Sequence, residues 1–162
     1  MKKNILYCSL ALLLTVNIKA EEYGLNSNAD TDTVFFRSPA RLEFIQGKTN
    51  YIKGNFQFNP QNPGEKISGV FKVDLRTLNT GIETRDEHMR ENHLHTDQYP
   101  FAFFELLEFD DIPERIIFDS IYTLIGGGYF YIHGIKRKIY PNITFSSHES
   151  SDSTIATGSR VR

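Results

Sequence analysis

A chain of 162 residues is the length of one domain, since domains commonly run to roughly 100–200 residues. With 40% hydrophobic, 13% aromatic and 23% charged residues, it is neither a disordered nor a collagen-like chain. The formal charge of −2 offers no basic excess for nucleic acid, and the single cysteine excludes an intrachain disulfide framework and a cysteine-rich zinc site.

The N-terminus has the order of a secretory signal peptide. Lys2 and Lys3 precede an apolar run from Ile5 to Val16, interrupted mainly by Ser9 and Thr15, and Ala20 stands before Glu21 and Glu22. The run is too short for an ordinary transmembrane helix, which needs about 20 residues. Residues 1–20 are therefore read as an address, with cleavage near Ala20 and a periplasmic or secreted product; the alternative is an uncleaved anchor. Cys8 lies inside the apolar run, where a lipoprotein cysteine would follow it, so lipidation is not expected. Loss of Lys2, Lys3 and Lys19 leaves 15 basic against 20 acidic residues and no cysteine. Such a domain has to rest on a hydrophobic core, which this length allows.

Tyr23 to Thr33 is polar, so residues 21–33 read as an extended leader, and the pattern from Val34 onward is mainly β. Phe35-Phe36 and Leu42 to Ile45 are short apolar runs broken at Pro39, and Tyr51 to Phe58 alternates with Phe56 and Phe58 on one face. Asn59 to Gly64 is a turn signal. Ser68 to Thr77 predicts a half-buried strand: Phe71, Val73 and Leu75 point one way, Lys72, Asp74 and Arg76 the other. Thr80-Gly81 ends it, and the charged stretch Glu83 to Asn92 is the helix candidate, with Arg85 and Met89 on one face and Asp86 four residues before Arg90.

Tyr99 to Phe109 and Arg115 to Leu124 predict two more strands. Gly126-Gly127-Gly128 predicts a tight hairpin turn, and Tyr129 to His133 returns to Gly134. Lys136 to Ser146 carries Pro141, which suggests an edge or a bulge, and Thr154 to Arg162 starts another strand. Many short strands with turns between them predict an all-β sandwich or barrel with one short helix. Thirteen Phe and eight Tyr would either fill its interior or line an apolar cavity.

Candidate chemistry is sparse. His88, His93 and His95, flanked by Asp86 and Asp97, offer imidazole and carboxylate donors, but they match no short zinc motif; hydrogen-bonded structural histidines are the plainer account. No serine sits in a Gly-x-Ser-x-Gly elbow, and no Lys-Ser/Thr pair follows the three glycines. Asn142-Ile143-Thr144 fits a glycosylation sequon but lies in an apolar strand pattern, where it reads as chance.

The stretch from Thr80-Gly81 through Arg85-Asp86-Glu87-His88-Met89 to Tyr99-Pro100 resembles the signature of the YceI-like family. That pattern has a strand ending near Thr-Gly, then Arg-Asp/Glu-x-His-Leu/Met, then an arm closing in Tyr-Pro before a strand. Glu91 to Pro100 is similar to an arm reading Glu-Asn-Tyr-Met/Leu-Glu-Ser/Thr-x-x-Tyr-Pro, with His93 and His95 in place of the Tyr and the Glu. Ile132-His133-Gly134-Ile135-Lys136 resembles a second motif, Ile-His-Gly-Val-Thr, with Lys136 in place of the threonine. The likeness covers roughly residues 34–162.

The resemblance implies a secreted, lipocalin-like antiparallel β-barrel of about eight strands that holds a polyisoprenoid or another long-chain lipid, with no catalysis and no cofactor. The implied partner is a long-chain isoprenoid or fatty lipid, not nucleic acid. Alternation then nominates Phe71, Val73, Leu75, Ala102, Phe104 and Leu106 for the lumen, with Phe56, Phe58, Phe130 and Ile132 as additions and Met89 over one end. Leu42 and Phe44 are weaker nominees, and solid core packing is the competing account for all of them. Arg85, His88 and Arg90 are head-group or gate candidates; equally, Asp86 and His88 pin the helix to the barrel. Phe101 and Phe103 make the opposite face aromatic, where a homodimer contact or peripheral membrane contact is expected. The chain ends at Arg162, where the family's closing strand continues, so that strand is expected to be short. The function expected is therefore lipid binding; the alternative is a metal-assisted hydrolase using His88, His93 and His95.

Overall fold

The structure is a computed structural model that describes residues 21–25, 32–39, 44–59, 62–65, 67–117, 119–146 and 155–158. The expected signal peptide lies outside the described residues. The strands are β1 (Glu21–Leu25), β2 (Val34–Pro39), β3 (Phe44–Thr49), β4 (Ile52–Phe58), β5 (Ser68–Asp74), β6 (Phe101–Asp110), β7 (Ile121–Ile132), β8 (Ile135–Ile139), β9 (Asn142–Ser146) and β10 (Ile155–Gly158). Between β5 and β6 run a 3-10 turn (Leu75–Thr77), helix α1 (Glu83–His88) and wider π turns over Met89–Leu94.

The fold is all-β. One antiparallel sheet has the order β1-β4-β5-β6-β7-β9-β10, with β8 also on β7; β2 and β3 form a separate two-stranded sheet. Among the described residues the pairings leave this sheet open, so the closure expected of a barrel is not made by backbone hydrogen bonds. The β2–β3 hairpin instead folds toward the helical segment. Lys48 and Asn79 exchange backbone hydrogen bonds of 2.9 and 3.0 Å, and the Thr49 and Thr77 hydroxyls meet at 2.6 Å.

Part of the residue 21–33 leader is structured: β1 pairs with β4 along its whole length. β5 stops at Asp74, earlier than expected. Leu75 turns out of the alternation into the 3-10 turn, where Asp74 caps the Arg76 N–H at 3.0 Å, and Leu75 is buried by a different route from Phe71 and Val73.

The three glycines are not a turn. Gly126, Gly127 and Gly128 lie inside β7, which runs without interruption from Ile121 to Ile132, and the described residues 115–117 and 119–120, where a strand is expected, are outside any strand. The reversal falls at His133-Gly134, whose φ angles of 52° and 72° are those of a two-residue hairpin turn with both central residues left-handed. Glycine is required in the strand for a different reason. A Cβ at Gly128 would run into the Glu105 carbonyl oxygen and lie 2.9 Å from the Phe104 ring, and one at Gly126 would lie 2.5 Å from Ile143. β8 and β9 continue along the same edge of β7, and Pro141 sits in the break between them, its carbonyl accepting from Gly126 N at 2.8 Å.

We expect Gly128→Ala to lower the urea midpoint by a stability loss of about 1–3 kcal/mol, the usual cost of overpacking. An unchanged midpoint in equilibrium unfolding would contradict this close approach.

Candidate functional site

The register puts one set of side chains on one face of the sheet. Phe71 is opposite Gly54 and Phe104; Phe104 is opposite Phe130; Val73 is opposite Ala102; Gly69 is opposite Leu106 and Phe56. Because side chains alternate along a strand, Phe56 and Phe58, Phe71 and Val73, Ala102, Phe104 and Leu106, and Phe130 and Ile132 all share this inner face.

Three zones succeed one another along it. Near the helical segment, Leu75, Leu78, Met89 and Ala102 are buried together, with Phe36, Leu94, Phe130 and Ile132 packed against them. In the middle, the Phe71 and Phe104 rings stack at 6.4 Å and 18°. They lie flat over glycines: a Cβ on Gly54 or Gly69 would meet Phe71, and one on Gly128 would meet Phe104. At the far end, Phe56 and Phe58 stack at 5.7 Å, and Phe109, Phe145 and Tyr122 complete a ring cluster with centroids 5.5–6.4 Å apart.

Burial divides the nominated residues. Phe58, Leu75, Met89, Ala102 and Leu106 are buried, Leu106 to 2% exposure, and serve as packing. Phe56, Phe71, Val73, Phe104, Phe130 and Ile132 are only half-buried and form the more open strip of the face, with Phe130 and Ile132 reaching the buried cluster at its helical end. Phe44 is 77% exposed, against its nomination, because β3 lies in the separate hairpin; Leu42 is outside the described residues.

The charged arm is organised by one buried carboxylate. Asp86 is 3% exposed, and its Oδ1 accepts from the Thr80 N–H at 2.8 Å and the Thr80 hydroxyl at 2.6 Å. Arg85 Nε donates to the same hydroxyl at 3.0 Å, so Arg85 is oriented by the turn. Arg90 is half-buried, and its carbonyl closes the π turns by accepting from the His95 and Thr96 N–H groups. His88 is exposed.

The histidines do not gather as the hydrolase alternative requires. His93 is exposed like His88, while His95 Nδ1 meets His133 Nε2 at 2.6 Å across the β7–β8 turn. Among the described residues no three His, Cys, Asp or Glu side chains are placed to hold one metal ion.

On the outer face, Phe101 and Phe103 are sheathed by cations. Lys72 Nζ lies 3.5 Å from the Phe101 ring centroid and 5.7 Å from that of Phe103, and the Arg76 guanidinium lies 5.2 Å from Phe101. Lys136 Nζ is 3.8 Å from the Tyr129 centroid, and the Tyr131 hydroxyl donates to Glu105 at 3.0 Å. Hydrogen bonding to Arg76 holds the Asp74 carboxyl below its usual value, and hydrogen bonding to Tyr131 raises Lys136. The aromatic patch expected here is thus partly covered by the protein's own cations.

A family model for the YceI-like domain matches residues 28–160. The chain belongs to the YceI-like family. No curated protein matches it. It is similar in structure to a polyisoprenoid binding domain from Saccharophagus degradans implicated in plant cell wall breakdown, with a TM-score of 0.56, 15% identity and 73% of this chain covered. The chain spans 64% of the length of that protein. BcnA of Burkholderia cenocepacia gives a TM-score of 0.62 at 12% identity, covering 78% of this chain and 73% of its own. The YCEI protein of Campylobacter jejuni gives 0.52 at 18% identity, covering 75% and 67%. At these identities the likeness carries the fold. In this YceI-like domain the first sequence signature is the arm between β5 and β6, and the second is the β7–β8 hairpin with its His133-Gly134 turn.

Alternation along Phe104 and Leu106 missed Phe109, because a bulge between Leu106 and Glu108 changes the parity of β6. Tyr122, Leu124, Ile143 and Phe145 escape the sequence pattern because three glycines with the composition of a turn split β7 in two. We expect Asp86→Ala, which leaves the Thr80 donors without their acceptor, to cost about 1–3 kcal/mol in urea unfolding. Asp86→Asn keeps an acceptor oxygen and should cost less.

Proposed function

We propose that this YceI-like domain is a secreted or periplasmic binding protein that holds a long-chain isoprenoid or similar amphiphilic lipid against its inner face. The observation that carries the reading is the open strip of Phe56, Phe71, Val73, Phe104, Phe130 and Ile132. These side chains are apolar and half-buried, continuous across β4 to β7, and flanked on the same face by the buried Phe58, Ala102 and Leu106. Rings laid over Gly54, Gly69 and Gly128 keep this strip low, a surface suited to a thin, flexible chain.

Affinity then comes from burial alone, at about 0.8 kcal/mol per methylene removed from water, and needs no covalent chemistry. Arg85, oriented by Thr80, and Arg90 supply donors near the helical end for an anionic head group. The polyisoprenoid-binding description of the Saccharophagus degradans domain supports this ligand class. The Lys2-Lys3 start and the apolar run after it support export.

The test is native purification from the exported fraction, denaturation, organic extraction and lipid mass spectrometry. The expected result is one long-chain lipid species near one per chain, and its retention should fall in Phe71→Ser while the circular dichroism spectrum is kept. Refilled with lipids of increasing tail length, the protein should bind about fourfold tighter per added methylene until the strip is covered. A folded, monodisperse sample that carries no enriched lipid and shows no dependence on tail length would contradict the proposal.

A further inference from the structure

We propose that His95 and His133 form a two-imidazole site for a divalent transition-metal ion, Cu2+ most tightly, that clips the helical arm to the β7–β8 hairpin. The proposal is independent of what the inner face binds.

The two donors come from different elements and converge. His95 follows the π turns as their cap, His133 opens the two-residue hairpin turn, and His95 Nδ1 lies 2.6 Å from His133 Nε2. Both residues have left-handed backbones, with φ of 45° and 52°. Glycine and asparagine suit such positions best, so the imidazoles are set at the two sites where each chain segment reverses. The His133 ring is held from its other side. The Tyr99 ring lies 4.8 Å away at 55°, and Tyr99 in turn rests against Gly134, where a Cβ would come within 2.9 Å of it. One donor is thus fixed in place, while His95 is exposed and accessible to an ion.

The chemistry requires a modest rearrangement. Metal–imidazole bonds are about 2.0–2.1 Å long, so two nitrogens on neighbouring sites of one ion stand roughly 3 Å apart. In the metal-free pair the nitrogens face each other head-on, 2.6 Å apart with ring centroids at 4.9 Å. The pair has to open by a few tenths of an ångström, and the rings have to turn by roughly 90° in total, chiefly at the exposed His95, so that both lone pairs converge on the ion. In the metal-free pair one ring N–H donates to the other ring's lone pair. On binding, that proton moves to the opposite nitrogen of its own ring, each imidazole gives one lone pair to the ion, and no net proton is lost from the neutral pair. Among the described residues no third His, Cys, Asp or Glu joins them, so water completes the coordination. Neutral imidazoles with open positions favour Cu2+ at the top of the divalent series. Acid competes, because ligation needs both rings unprotonated.

The test titrates the purified full chain with CuSO4 in a non-coordinating buffer, read by isothermal calorimetry and by electron paramagnetic resonance. The expected result is one ion per chain, two equatorial nitrogen donors in the spectrum, and a melting temperature that rises with added Cu2+. His95→Asn and His133→Asn keep residues that tolerate positive φ, so both should fold, and each should weaken binding at least roughly 10–100-fold, the loss seen even for supporting residues of metal sites. His93→Asn should leave binding unchanged. Absence of saturable binding, a nitrogen count below two, or affinity unaltered in both His95→Asn and His133→Asn would overturn the proposal.

Discussion

Side-chain alternation within one continuous sheet governs what this chain can do with its aromatic residues. Once Phe71 faces inward, pairing fixes Phe104, Phe130, Gly54 and their neighbours on the same side, because a slip of one residue would turn every one of them outward. Bulky rings on adjacent strands would crowd one another if each stood upright. Glycines at positions 54, 69, 126 and 128 remove that conflict, since a ring or branched side chain from the next strand lies where a Cβ would have been. The result is a low aromatic surface in which half-buried rings alternate with buried residues, Ala102 toward the helical end, Leu106 in the middle and Phe58 at the far end.

The arm between β5 and β6 closes that end and depends on a polar arrangement. Asp86 is removed from water, and both of its hydrogen bonds from Thr80 go to one oxygen. A buried carboxylate in this state is tolerated because those donors, one from the backbone, replace its lost hydration. Thr80 in turn orients Arg85, so the residues that shape the turn also hold a cation within the arm. Met89, one turn beyond Arg85, contributes to the buried layer, so the arm links a polar rim to the core within a few residues.

Much of this was legible in the sequence. The Thr80 to Pro100 signature located the helical arm, the alternation of Phe71 and Val73 gave the inner face, and Pro141 marked a break on the edge of β7. What failed did so for local reasons. Gly126 to Gly128 carry the composition of a turn, yet they are strand residues whose missing side chains make room for Phe104, Leu106 and Ile143; no local signal separates those two uses of glycine. The bulge at Leu106 shifted Phe109 onto the face that alternation had reserved for its neighbours. The His95–His133 contact joins residues 38 positions apart, whereas spacing within the arm groups His95 with His88 and His93.

The claim on which the account rests is that the open strip, and not the cation-sheathed outer face, is the lipid surface. Photo-crosslinking with a diazirine-bearing long-chain lipid, mapped residue by residue by mass spectrometry, tests it most directly. The account predicts saturable adducts on Phe56, Phe71, Phe104, Phe130 or Ile132, competed by unlabelled lipid. Adducts confined to Phe101, Phe103, Tyr129 and Tyr131 would contradict it.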